Sequence, residues 1–302
     1  MSIVLESKLA DKQLMRRGKV RDVYDEGDEL LIVATDRISA FDVVMPEGIE
    51  GKGVALTKLS EFWFLKTSHV FKNHFISRFD ERTLRVKKAQ RIDIEWIVRA
   101  YLYGSAWRAY TKGAREISGI KLLSGLQLAE ELPEIILTPT TKSDQGHDEE
   151  LSKEEALRRK LVTKDEWNEL EEATYRLFEY YKREAGLKGL IIPDFKLEYG
   201  RIIKDDLIQI DEPPTHDSAR FWAKNKYRIG ERQEKNCLDK EFLRDFLLRK
   251  GFSGEGQIPD LPPIVLEQIS KRCSGAFQVL SGERTLESLD LLSVDEVLEQ
   301  TS

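Results

Sequence analysis

The sequence predicts an α+β protein of two lobes, on three observations. Its 302 residues exceed what a single hydrophobic core commonly serves. The first hundred residues are rich in short strand-like runs broken by polar turns, the pattern of an antiparallel sheet. Capping boxes, a β-hairpin pattern and further helices fill the second half, as in a mixed lobe with helices at its end. The division is placed at 95/96, giving a strand-rich lobe over 1–95 and a mixed α/β lobe over 96–302.

The elements follow in chain order. Lys19 to Tyr24 and Glu29 to Thr35 read as strands around the acidic turn Asp25-Glu26-Gly27-Asp28. Leu56 to Phe75 reads as a helix, with Leu59, Phe62, Trp63, Leu65 and Val70 apolar. Leu84 to Lys88 and Ile92 to Arg99 are strands flanking a short connection, and Gly104 to Tyr110 opens a helix. Residues 111–150 are loop-rich, punctuated by Pro133 and Pro139. Ser152-Lys153-Glu154-Glu155 and Thr163-Lys164-Asp165-Glu166 are capping boxes, so a helix starts at each. Gly186 is a suitable stop for the second helix. Helices over Lys240 to Lys250 and Val265 to Leu280 close the chain.

Composition narrows the function classes. The charged fraction of 34% is mixed in sign and the net charge is only −6, which argues against nucleic acid or an anionic membrane as the main partner. No apolar run reaches the roughly 18 residues of a membrane span, and the start lacks a signal peptide's apolar core. Cys237 and Cys273 show no C-x-x-C spacing and read as free thiols of a reducing, cytoplasmic setting.

The stretch from Ile191 to Trp222 carries the chemistry. In I-I-P-D-F-K-L-E-Y-G, period-two alternation puts Asp194, Lys196 and Glu198 on one face and Phe195, Leu197 and Tyr199 on the other. A row of acid, base and acid suits a site for a metal ion and phosphate oxygens; a solvated charged face is the plainer alternative. The polar turn Lys204-Asp205-Asp206 makes the segment a hairpin. With a two-residue loop at Asp205-Asp206, position 200 falls opposite Asp211, and Glu198 and Asp211 become same-face diagonal neighbours roughly 7–8 Å apart. Two such carboxylates can share Mg²⁺ with substrate phosphates. Upstream, Gly18 permits close approach of a ligand, and Lys19 and Arg21 share a strand face. Spacing alone leaves G-K-V-R open between a charged edge strand and a phosphate site. Neither G-x-x-x-x-G-K-[ST] nor G-x-G-x-x-G occurs. H-R-D and D-F-G are missing too, which tells against a protein kinase.

D-F-K-L-E-Y-G and D-E-P-P-T-H-D-S-A-R-F-W resemble two signatures of the SAICAR synthetase family, ligases of purine biosynthesis. G-K-V-R-D-V-Y, D-R-I-S-A-F-D and V-R-A-Y-L-Y-G-S-A-W extend the likeness in the right order up to about Trp222. His216 stands where the family usually has proline. The resemblance implies a two-lobed fold with a kinase-like ATP cleft. It implies Mg²⁺- and ATP-dependent joining of L-aspartate to a carboxylated aminoimidazole ribotide (CAIR), through an acyl phosphate, in a cytoplasmic protein that is monomeric in longer members. Gly18, Lys19, Val20 and Arg21 would cover the ATP phosphates. Lys88, Ala89 and Arg91 would form the hinge at adenine, with Glu95 beside the nucleotide. Lys196, Glu198 and Asp211 would be catalytic, the last two holding the metal. Arg99, Ser105 and Arg220 would bind CAIR, and Asp217 would accept from its ring amino group. Ser39, Asp42 and Lys142 would line the substrate side, with Asp148 nearby. The residue types leave Ser105 open to a plain N-cap role and Asp217 to capping a helix through Arg220.

Overall fold

The computed structural model describes residues 2–142, 149–202 and 206–301. Five strands lead the chain: β1 (Gln13–Arg17), β2 (Arg21–Asp25), β3 (Glu29–Ala34), β4 (Arg37–Ala40) and β5 (Val43–Gly48). Helix α1 (Lys52–Thr67) follows, then β6 (Phe75–Arg78), β7 (Thr83–Lys87) and the long β8 (Gln90–Tyr101). Next come α2 (Gly104–Thr111), β9 (Glu116–Ile117), β10 (Ile120–Lys121), β11 (Glu131–Leu137) and β12 (Thr140–Thr141). Helices α3 (Lys153–Arg158) and α4 (Lys164–Leu187) precede β13 (Leu190–Ile191), β14 (Asp194–Arg201), β15 (Leu207–Ile210) and β16 (Trp222–Ala223). The end is helical: α5 (Glu241–Arg249), α6 (Pro263–Ser281) and α7 (Val294–Thr301).

The fold is α+β. One antiparallel sheet has the order β1-β2-β3-β7-β6; a second has β11-β8-β14-β15, with β12 on the other half of β8. β8 spans Gln90–Tyr101, so the expected division at 95/96 falls inside one strand. The apolar face of β14 is buried: Phe195 and Leu197 are 1% exposed and Tyr199 is 0%. Phe195 meets Phe178 and Tyr181 of α4, while Tyr199 meets Trp96 of β8. The same core takes in Ile38 of β4, Trp63 of α1, and Phe246 and Val265 from the terminal helices. Such close packing fixes β14 as a rigid base for the side chains on its opposite face. α1 enters tightly against the first sheet. A Cβ on Gly53 would lie 2.3 Å from the carbonyl oxygen of Ala34, so only glycine fits there.

Several expectations change. The helix expected over 56–75 spans Lys52–Thr67, and Phe75 already belongs to β6. G-K-V-R does not lie within one strand. Gly18 N–H donates to the carbonyl of Arg21 (2.7 Å), closing the tip of the β1–β2 hairpin, so Lys19 and Arg21 do not share a strand face. β11 lies within the span read as loop. Thr163 forms a full capping box and Ser152 caps through Glu155 N–H, yet α4 passes Gly186; the positive-φ residue beyond its end is Gly189. No helix contains Arg220; Trp222 begins a two-residue strand.

Candidate active site

A cleft of about 1390 Å³ is lined by the β1–β2 tip, the connection after β7, the polar face of β14 and the loop after β15. Its acid row is neutralised from within. Lys196 Nζ lies 2.6 Å from Glu95 Oε1, and Lys142 Nζ bridges Glu95 (2.8 Å) and Glu198 (2.7 Å). Arg21 pairs with Asp211 at 2.7 Å and reaches Glu212 at 3.4 Å.

Glu198 and Asp211 come together by a route other than the expected register. Glu198 faces Ile210 and Gly200 faces Ile208, and Ile202 N–H donates to Asp206, so three residues rather than two separate the arms. Asp211 therefore falls one position beyond Glu198's partner, where strict alternation would turn it away. Its φ of +64° breaks the alternation. Burial raises the Glu198 pKa and the Asp211 charge raises it further, the mark of two acids sharing one buried space. Burial also works against an ionised Asp211, but Arg21 and Lys142 outweigh it and hold that carboxyl well below its usual range. Glu198 lies against Lys142 and Asp211 against Arg21, and together the two carboxylates form a hard donor set of the kind Mg²⁺ takes alongside phosphates.

The opposite end is rich in guanidinium groups. Arg220 donates from one nitrogen to both oxygens of Asp194 (2.8 and 2.6 Å) and lies 3.3 Å from Glu241. Arg99 donates to Thr138 and to Ser105, each at 2.9 Å. Burial first, then the neighbouring Arg220 and Arg108, pulls Arg99 down to about 10. Gly104 has φ +59°, and a Cβ there would meet the Arg220 guanidinium at 2.5 Å. Asp217 is gripped by Lys52 at 2.5 Å and approached by Lys240 at 3.5 Å.

The remaining expected residues divide. Gly18, Lys19 and Val20 line the cleft, as do Ser39 and Asp42. Lys19 pairs with Asp42 at 2.5 Å. Ala89 and Arg91 line it too, with Arg91 bonded to Asp93 (2.7 Å). Lys88 turns its side chain to Asp25 (2.7 Å), so it presents only backbone to any hinge. Asp148 lies outside the described residues. Sequence reasoning missed Lys240, Arg244 and His74 as cleft residues. None of the three lay in a motif singled out from the sequence.

Two buried histidines make a pH prediction. Desolvation holds His74 and His216 down at about 3, against about 6.5 in an unfolded chain. Below that value the unfolded chain binds protons that the folded protein refuses. Stability therefore falls as pH drops from about 6.5 towards 3, by up to about 1.4 kcal/mol per unit for each ring. Denaturant unfolding at pH 7.5 and 5.0 should give a shallower loss for His216→Asn than for the unaltered protein. Equal losses would contradict this reading.

Two antiparallel sheets, a cleft with a carboxylate pair at one end and an arginine cluster at the other, and a glycine-tipped hairpin over it define a two-lobed enzyme for phosphate-bearing substrates. The chain belongs to the SAICAR synthetase family, whose model matches residues 14–259. It is 41% identical over 295 residues to the phosphoribosylaminoimidazole-succinocarboxamide synthase of Thermodesulfovibrio yellowstonii, covering 93% of this chain and 99% of the relative. The corresponding protein of Geobacter sulfurreducens is 39% identical over 297 residues, covering 93% and 98%. Among solved structures, the SAICAR synthase of Saccharomyces cerevisiae complexed with SAICAR aligns with a TM-score of 0.82 and 36% identity, over 92% of this chain and 98% of that one. A SAICAR synthetase in complex with ADP aligns with a TM-score of 0.65 and 26% identity, over 86% and 97%.

Proposed function

We propose that this protein joins L-aspartate to CAIR, using ATP, to give SAICAR, ADP and phosphate in purine biosynthesis. Among the site's features, the meeting of the Glu198–Asp211 pair and the Arg99–Arg220 cluster in one cleft supports it most. A carboxylate is a poor acyl donor because its leaving group would be oxide. A CAIR carboxylate oxygen attacks the γ-phosphorus, ADP departs, and the acyl phosphate offers phosphate as the leaving group. The amine of aspartate attacks the carbonyl carbon, phosphate leaves and the amine sheds its proton. The protein's share is positioning and charge stabilisation.

Glu198 and Asp211 would hold Mg²⁺, which when bound supplies positive charge to phosphate oxygens. Lys196, on the same face as Glu198, orients the transferred group beside the carboxylate it must meet. Arg21, at the start of β2, can exchange Asp211 for a phosphate. Arg99, Ser105 and Arg220 hold the ribotide by forked and hydroxyl hydrogen bonds. The backbone of 88–91 borders the adenine, with Ala89 leaving space for a flat ring. The protein acts in the cytoplasm on small molecules. Release of ADP that requires both CAIR and aspartate, with phosphate set free and not retained on the product, tests the assignment. ADP release independent of aspartate would overturn it.

A further inference from the structure

The block D-R-I-S-A-F-D supplies Ser39 and Asp42 to the cleft, while its first two residues, Asp36 and Arg37, are buried. Arg37 opens β4 and spends its guanidinium on the β1–β2 tip. Nη2 donates to the carbonyl of Gly18 (2.9 Å) and Nε to that of Lys19 (3.0 Å). Thr35, two residues earlier, takes the next carbonyl: its N–H (3.0 Å) and its hydroxyl (2.8 Å) both donate to Val20. Three consecutive carbonyls of the tip are thus held from one side. The guanidinium is anchored in turn. Nη2 also donates to Asp22 Oδ1 (2.8 Å), and Nη1 donates to the carbonyl of Leu5. Asp22 accepts from the N–H and hydroxyl of Ser7 at 3.0 and 2.7 Å. Asp36 ties this frame to α1 by accepting from Gly53 N–H at 2.9 Å.

A trans peptide group points its N–H opposite to its carbonyl. Holding the carbonyls of Gly18 and Lys19 toward Arg37 therefore turns the N–H groups of Lys19 and Val20 away from it, in a segment that lines the cleft. Among the described residues neither N–H meets a backbone acceptor. Apolar packing does not set this orientation, since all five residues of β1 are exposed. Asp22 alone would neutralise Arg37; the bonds to Gly18 and Lys19 add direction.

We propose that Arg37 is a positioning residue for the nucleotide: with Thr35 it turns the peptide groups of the tip so that the N–H groups of Lys19 and Val20 face the phosphate oxygens. The inference rests on the ligase reading above only in placing a nucleotide's phosphates at the tip. Backbone N–H groups suit those oxygens because the bonds are charge-assisted and the donors are already in place when the ligand arrives. Arg37 itself touches no phosphate and acts through the two carbonyls it holds. Without it the tip peptides can rotate, and the donors are lost to the phosphates while the adenine keeps its surroundings.

Titration calorimetry of Arg37→Met with ADP and with adenosine, each beside Mg²⁺, tests this. The Kd for ADP should rise about tenfold or more, since a hydrogen bond to a charged group is worth at least that. The Kd for adenosine, which has no phosphate, should stay within about twofold of the unaltered protein's. Arg37→Lys should recover part of the ADP affinity by reaching one of the two carbonyls. Should Arg37→Met fail to fold, Thr35→Val removes only the hydroxyl on Val20 and should weaken ADP by about threefold, with adenosine unchanged. A loss for adenosine as large as that for ADP would make Arg37 a general brace of the cleft and overturn the proposal. An ADP Kd unchanged in Arg37→Met, or in Thr35→Val where that is the variant that folds, would overturn it too. Phosphate-selective loss in a protein that forms no SAICAR would remove the ligase reading and leave this one standing.

Discussion

Replacing Glu198 by Gln, or Asp211 by Asn, should lower kcat by about a thousandfold or more while the fold is kept. The stabilisation a metal gives to phosphoryl transfer is several kcal/mol, and each 1.36 kcal/mol is tenfold in rate. An amide keeps the shape of the carboxylate but supplies no charge to a cation. Retention of the fold follows from the pairing pattern. Without the Glu198 charge, Lys142 keeps Glu95 at 2.8 Å. Without the Asp211 charge, Arg21 keeps Glu212 at 3.4 Å. Glu198 is also destabilised as an anion by burial and by Asp211, so its amide should cost little in stability. Steady-state rates beside urea unfolding check both halves. Rates within tenfold of the unaltered protein would refute the assignment of the metal site.

Arg220→Met should be the most destabilising single change at the site, by about 3–5 kcal/mol. Arg220 is the principal partner of Asp194, which is only 4% exposed, and one of the partners of Glu241, which is 6% exposed. Removing it strands buried carboxylates, and breaking a buried pair from one side costs that much. Arg99 lies 3.8 Å from Asp194 and cannot replace the fork. Asp194→Asn combined with Arg220→Met should recover part of the loss, because the stranded charge is then gone. Urea midpoints of the single and double variants measure this. A double variant less stable than Arg220→Met would contradict it.

The alternation of β14 was legible because period two is a local property: Phe195, Leu197 and Tyr199 pack inward and Lys196 and Glu198 face the cleft. The pairing register was not, since it depends on the loop length and on the left-handed backbone at Asp211. β1 escaped detection because all five residues of Gln13–Arg17 are exposed, so no alternation marks it. The sequence placed Lys240 and Arg244 in a helix over Lys240 to Lys250 and nothing more; only tertiary packing brings them to the cleft beside the loop after β15. The burial of Lys52 against Asp217 depends on a contact 165 residues away in the chain. The two blocks at 191–222 carried the resemblance because the residues that face the cleft there are close together in sequence.

Isotope transfer gives the most direct test. With ¹⁸O in the carboxylate of CAIR, the reaction should deliver one labelled oxygen to the phosphate released, because that oxygen leaves carbon bonded to phosphorus. Phosphate free of label, in a reaction that still forms SAICAR, would show that the ribotide carboxylate is never presented to the nucleotide and would contradict the account.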